Sequence, residues 1–397
     1  MSNFITDIKI KKVRHLENID IKLGDEKKHL ILTGKNGCGK TSVLEELDKF
    51  FVELFKEHGQ IQTFYEYKDK LNTIDKIRHK PLFEIVYKFE SCFPLFNIDN
   101  FYIKVKEKNI NFVYAFFGAT RKNIAKKPTG INKYNIVHSK SAKLNENFLQ
   151  HIVNLKAERS FARDDNEENV VNQIDAWFNR FEAMLKQIFS DESLKITFDR
   201  KNYNFIIHRV NREPFDFNGL SAGYSAIIDI VTELILKIEN TQSKSFDCEG
   251  IVLIDEVENH LHVELQKNIL PFLTTFFPNI QFIVTTHSPF VLQSIENSVV
   301  YDLERKEQLS GEKLKNASYS DIVKNYFEVD SKFSKVLEDE IDRYEKLIEI
   351  FDEESLNIEE EKELLALDIK LDKIAPMLSD SIYLRFKESQ DRIKENG

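Results

Sequence analysis

Apolar and polar positions alternate from Phe4 to Leu23 (FITDIKIKKVRHLENIDIKL), the period of two expected of a half-buried strand pair. The pattern then changes. KHLILTG, Lys28 to Gly34, is a short continuous apolar run ending in glycine, as a parallel strand buried on both faces would be. SVLEELDKFFVELF (Ser42–Phe55) follows with helical spacing. Between about 60 and 210 the signals are mixed: EIVYKF (84–89), FYIKVK (101–106) and NFVYAFF (111–117) predict strands, and Val170 to Phe189 predicts a helix. LKITFD (194–199) and YNFIIHRV (203–210) predict a hairpin. From Ser221 the order becomes α/β: a helix over 221–239, strand GIVLID (250–255), a helix from about 263, strand IQFIVTTH (280–287), helix PFVLQSI (289–295) and strand SVVYDL (298–303). Beyond about 310 the chain turns helical and charged, with helices predicted near 332–352, 357–373 and 379–395. There Leu347, Ile350, Leu364, Leu365, Ile369 and Leu371 recur at helical spacing, as a bundle, a partner surface or a solvated appendage would have them.

Composition narrows the class. A chain of 397 residues with 42% hydrophobic and 31% charged residues is globular, and long enough for one large domain with insertions or two to three small ones. No run reaches the ~18 uninterrupted apolar residues of a membrane helix, and MSNFITDIKIKK lacks the apolar core of a signal peptide. Cys38, Cys92 and Cys248 are too dispersed for a disulfide framework. The expectation is a cytoplasmic protein without a membrane partner. The net charge of −10 is unevenly placed: residues 331–397 carry −8, whereas 108–145 hold eight Lys/Arg and no Asp or Glu. That basic segment offers either a surface for nucleic acid or an acidic partner, or an ordinary solvated loop.

Short stretches carry the chemistry. GKNGCGKT, Gly34 to Thr41, fits G-x-x-x-x-G-K-[ST] between an apolar strand and a helix. Such glycines let successive backbone N–H groups face one point, and the helix adds its positive end. The candidate ATP-binding residues are Gly34, Lys35, Asn36, Gly37, Cys38, Gly39, Lys40, Thr41 and Ser42, with Lys40 on the β- and γ-phosphates and the Thr41 hydroxyl on Mg²⁺. Cys38 is read as a small tolerated residue in this loop. Next, the strand ending in Asp255-Glu256 places Asp255 as the second Mg²⁺ residue and Glu256 as the group that orients an attacking water. Finally, Thr286-His287-Ser288-Pro289 sets His287 at a strand's carboxyl end, the edge where α/β sheets bind ligands. Glu258, His260 and His262 are spaced E-x-H-x-H, but a zinc site would need them on an extended segment, and this one turns towards a helix. LSAGYS, ending at Ser225, puts Ser221 as N-cap at an open helix start, where free N–H groups can meet an anion.

In this order the pieces resemble the ABC-type ATPase superfamily, and within it the soluble SMC/RecF/OLD-like branch. The resemblance covers roughly 1–45 and 215–305, and weakly NFVYAFFGATR, which ends at Arg121. VLIDEVENHLH followed by FPNIQFIVTTHSP is similar to the stand-alone ATPases of bacterial anti-phage operons of the PARIS and Septu types. It implies an α/β P-loop ABC-type head made of 1–45 and 215–305, a mixed α+β insertion over 46–214, and an acidic helical region over 306–397. It also implies a homodimer, or a higher oligomer built from such dimers, closed around ATP. Ser221 and the Gly223 backbone would reach the partner's γ-phosphate, Glu256 would be the catalytic base and His287 the switch histidine. Ala222 and Tyr224 depart from the usual Gly and Gln/Glu, and the Q-loop glutamine has no match; Arg121 is an alternative there. The separation of 180 positions from Thr41 to Ser221 exceeds a transporter head's spacing. The expected function is an ATP-driven switch controlling a separate effector, of nuclease or TOPRIM-like type; no nuclease motif stands out in this chain. A nucleic-acid-clamping repair or chromosome-maintenance ATPase and a weakly hydrolysing assembly scaffold are the alternatives.

Overall fold

The computed structural model describes residues 4–56, 112–120, 126–132, 147–239, 248–316, 335–353 and 356–374, with Ile322, Tyr383, 386–388 and Gln390. The expected strands at 84–89 and 101–106, Arg121, and most of the helix at 379–395 lie outside these residues. The chain divides into two compact units, Met1–Tyr319 and Ser320–Gly397.

The first unit is organised by a six-stranded sheet. Its strands are β3 (His29–Thr33), β4 (Phe112–Phe117), β8 (Glu249–Ile254), β9 (Ile280–Thr285), β10 (Ser298–Asp302) and β11 (Glu307–Ser310), in the order β11-β10-β3-β9-β8-β4. Five are parallel and β11 joins as an antiparallel edge. The middle strands are buried throughout, so their sequences are near-continuous apolar runs rather than alternations. Because they are parallel, the carboxyl ends of β3, β8 and β9 emerge on one edge. That edge carries the candidate site.

The hairpin β1 (Asp7–Val13) and β2 (Leu16–Lys22) does alternate, turning Ile8, Ile10, Ile19 and Ile21 onto Leu30 and Leu32 of β3 and onto Val43, Leu44 and Leu47 of α1 (Lys40–Lys56). Gln281 of β9 ties this layer down: its amide donates to the Ile5 carbonyl at 2.9 Å and its oxygen accepts the Ile5 N–H at 2.8 Å.

Between β4 and β8 the unit adds α2 (Phe148–Asp164), α3 (Glu168–Phe189), a three-stranded antiparallel sheet of β5 (Lys195–Asp199), β6 (Asn204–Arg209) and β7 (Arg212–Asp216), and α4 (Ala222–Glu239). Phe148, Phe181 and Phe217 interlock at ring-centroid distances of 5.3–6.2 Å. The predicted hairpin is present, but it gains β7, whose REPFD sequence is an exposed proline-bearing edge. The pattern also misses α2: its buried apolar residues cluster at one end, and its remainder is charged. PFVLQSI is helical only over Pro289–Leu292, and α5 (Val263–Phe276) completes the connection from β8 to β9.

The second unit has a core of its own. Ile341, Tyr344, Leu347 and Ile348 of α6 (Lys335–Glu353) pack with Leu364 and Leu371 of α7 (Ile358–Ile374) and with Phe386. Asn357 starts α7 by a reciprocal cap: its oxygen accepts the Glu359 and Glu360 N–H groups, and Glu360 accepts the Asn357 N–H. Of the apolar residues noted from spacing, Leu347, Leu364 and Leu371 are buried, whereas Ile350, Leu365 and Ile369 face solvent. Among the described residues, no helix is long and apolar enough to cross a membrane.

Candidate nucleotide site

The loop leaving β3 is wound through three glycines in the left-handed region, Gly34 (φ +130), Gly37 (φ +84) and Gly39 (φ +102). A Cβ on Gly34 would lie 2.8 Å from Cys38 Sγ, and one on Gly39 would lie 2.7 Å from Leu16 Cδ1, so both positions exclude a side chain twice over. Lys40 is buried, and its Nζ donates to the carbonyls of Gly34 (2.8 Å) and Lys35 (3.0 Å), 3.7 Å from Cys38 Sγ. Asn36, Gly37 and Thr41 face outward and Ser42 is buried. Lys35 is held aside by Glu304, whose carboxylate accepts its N–H at 3.3 Å and pairs with its ammonium at 3.5 Å. The β1–β2 turn also reaches this loop: His15 Nε2 donates to the Cys38 carbonyl at 3.2 Å. Neither Glu304 nor His15 carried a sequence signal, because both contacts join distant parts of the chain.

Opposite the loop, Asp255 follows β8. Its N–H bonds the Phe117 carbonyl at 2.8 Å, and its buried carboxylate accepts from Thr41 Oγ1 at 3.0 and 3.2 Å. Thr285, the last residue of β9, adds a third hydroxyl bond to Asp255 Oδ1 at 2.6 Å. Glu256 sits at φ +45, uncommon for a residue with a side chain. Its N–H donates to Thr285 Oγ1 at 2.7 Å, and Asn259 Nδ2 lies 3.4 Å from its carboxylate. The His287 N–H donates to Glu258 Oε1 at 2.5 Å, while the buried Glu258 Oε2 has no hydrogen-bond partner among the described residues. Burial first, and the Lys40 ammonium second, hold the His287 imidazole below its ordinary pKa against the pull of Glu258, Glu256 and Asp255. The ring is therefore neutral at pH 7. Lys40, Thr41, Asp255, Glu256 and His287 thus share one electrostatic neighbourhood.

Ser221 and Gly223 are placed differently. Ser221 is exposed, and its carbonyl accepts the Ser225 N–H at 2.8 Å at the start of α4. Gly223 is buried, and a Cβ there would lie 3.0 Å from the His260 carbonyl and 3.4 Å from Leu265. No hydrogen bond or ion pair among the described residues joins either to residues 34–42. Tyr224, where the resemblance leads one to expect Gln or Glu, stacks on Phe189 at 4.2 Å. His260 and His262 are exposed on the turn before α5, and among the described residues no three or more His, Cys, Asp or Glu are grouped to hold a metal ion. Of the eight Lys/Arg of the basic segment only Lys126 and Lys127 are described; Lys127 Nζ lies 3.9 Å from Asp216.

The Septu protein PtuA of Bacillus mycoides is 26% identical over 313 residues, covering 77% of this chain and 41% of that protein. The retron Ec83 probable ATPase of Escherichia coli is 36% identical over 129 residues, or 30% of this chain and 24% of that protein. The chain therefore spans well under half the length of these relatives. Among solved structures, an SMC head bound to the C-terminal winged-helix domain of ScpA covers 79% of this chain and all of that one, at 11% identity and a TM-score of 0.41. Residues 91–293, which include α4, the Asp255-Glu256 strand end and His287, match the family described as "AAA domain, putative AbiEii toxin, Type IV TA system". The match spans half of the chain, and the protein belongs to that family of AAA domains.

Proposed function

We propose that this protein binds ATP at the joint edge of β3, β8 and β9, hydrolyses it, and uses the cycle to control a separate effector protein in anti-phage defence. The observation that supports the first step most is the convergence of the glycine loop and the acidic strand end. Thr41 hydroxyl and Asp255 carboxylate lie at 3.0 Å although 214 residues separate them. In this reading the loop N–H groups and Lys40 hold the phosphates. Thr41 and Asp255 form a hard-oxygen pair of the kind Mg²⁺ selects. When bound, that ion would neutralise charge developing on the phosphates. Glu256 accepts the proton of the attacking water, and the neutral His287 ring donates a hydrogen bond at the γ-phosphate side.

Among the described residues, neither Ser221 nor Gly223 bonds to the glycine loop of its own chain, and in this reading Ser221 and the Gly223 backbone serve the ATP of a second copy. The likeness to the Septu protein PtuA and to a retron probable ATPase supports a defence setting; the effector, a separate protein of nuclease or TOPRIM-like type, belongs to this proposal alone. Gel filtration and phosphate release test this together. Glu256→Gln should cut turnover by about 10²–10⁴-fold and accumulate an ATP-bound dimer. Equal turnover in the two proteins would refute Glu256 as the base, and a monomer at saturating ATP would refute the dimer.

A further inference from the structure

We infer that Thr285 is a positioning residue that holds both acids of the strand end in working geometry. This rests on the ATPase reading above. A threonine hydroxyl has one proton to give and lone pairs to accept with, and here both capacities are used on consecutive residues. It donates to Asp255 Oδ1 at 2.6 Å and accepts the Glu256 N–H at 2.7 Å. The Thr285 carbonyl then accepts the Val257 N–H at 3.1 Å, so one residue grips three in a row.

Each bond has a distinct consequence. The short charge-assisted bond to Oδ1 fixes the rotation of the Asp255 carboxylate, which leaves Oδ2 closest to the Thr41 hydroxyl. The bond from Glu256 N–H holds that residue at φ +45, a conformation that a non-glycine residue keeps only when its surroundings enforce it. Thr285 is fully buried, so water cannot replace the hydroxyl. It also pairs with Leu32 of β3, two residues before Gly34, and so ties the acids to the strand that bears the loop. A threonine that only completed β9 would need none of the bonds made by its hydroxyl.

Thr285→Val keeps the shape and removes both hydroxyl bonds, whereas Thr285→Ser keeps them. The expected result for Val is a kcat about 10–100-fold lower with KM for ATP changed less than about threefold, and serine restoring kcat to within about threefold. Hydrogen exchange on the nucleotide-free protein supplies the second measurement: the Glu256 amide should exchange faster in the Val variant and at the wild-type rate in Ser. If the Val variant does not fold, Thr285→Cys makes the same comparison, since a thiol is a poor donor. A Val variant with wild-type kcat and wild-type exchange at Glu256 overturns the inference, as does a loss that serine fails to restore. Wild-type turnover abolished by Glu256→Gln but untouched by Thr285→Val would sink this inference alone. Absent turnover in the wild type would sink the reading beneath it.

Discussion

Protonating His29 should unfold the first unit, and the size of the effect follows from where the ring sits. His29 opens β3, is almost completely buried, and accepts the Phe282 N–H on Nδ1 at 3.0 Å while its ring tilts on Phe282 at 5.7 Å. A second proton would have to occupy the nitrogen that already receives that amide. Burial, and then the nearby Lys27 charge, push the imidazole from 6.5 down to about 3. The folded state therefore refuses a proton that the unfolded chain accepts. Stability is complete above pH 6.5 and is lost as pH falls towards 3, at about 1.4 kcal/mol per pH unit for one proton. Over the accessible part of that window this amounts to a few kcal/mol, a large share of the stability of a typical domain. Urea unfolding followed by fluorescence of Trp177, the single tryptophan and a residue of α3, reports on this unit. His29→Asn retains an acceptor near Nδ1 without the titration. Its stability should fall less steeply than that of the wild type between pH 6.5 and 4.5, whatever its offset at pH 7. Parallel curves would refute the reasoning.

The remaining predictions concern the loop and the second unit. Gly39→Ala adds a side chain at φ +102 and 2.7 Å from Leu16 Cδ1; a backbone strain of about 1–2 kcal/mol plus that overlap should lower the Tm and weaken binding of a fluorescent ATP analogue at least tenfold, and unchanged affinity would count against the loop geometry. Leu371→Ala empties a fully buried position in the core of the C-terminal helices and should cost about 2–5 kcal/mol, seen as faster proteolysis within 335–374; equal protection in variant and wild type would show that this core is not what holds the helices.

Elements were legible where the sequence pattern is local. β3 and β8 are unbroken apolar runs, the loop after β3 carries its glycines within six residues, and the alternation of β1 and β2 names the residues they bury. The parts not read in advance depend on neighbours remote in sequence. Thr285 reads as one more strand residue until its hydroxyl is seen between Asp255 and Glu256, 30 and 29 residues away. His15 sits in an ordinary hairpin turn until Cys38, 23 residues on, lies beneath it. Tyr224 looks like a departure from a signature, but within the chain it is a ring stacked on Phe189. In α2, the charges that blur its stripe are explained partly by pairing, since Arg159 bonds Asp175 of α3 through two nitrogens.

The central position of β3 has a kinetic side. Its hydrogen-bonded neighbours are β9 and β10, which are made some 250 residues later, and His29 waits 253 residues for the Phe282 amide. An apolar strand, HLILT, thus leaves the ribosome with both of its edges unpaired. Non-local pairing of this kind is slow, and unpaired strand edges are aggregation-prone while it proceeds. Folding of the candidate nucleotide site is therefore a late event in synthesis: no chain that stops short of residue 302 can close the sheet around its own glycine loop.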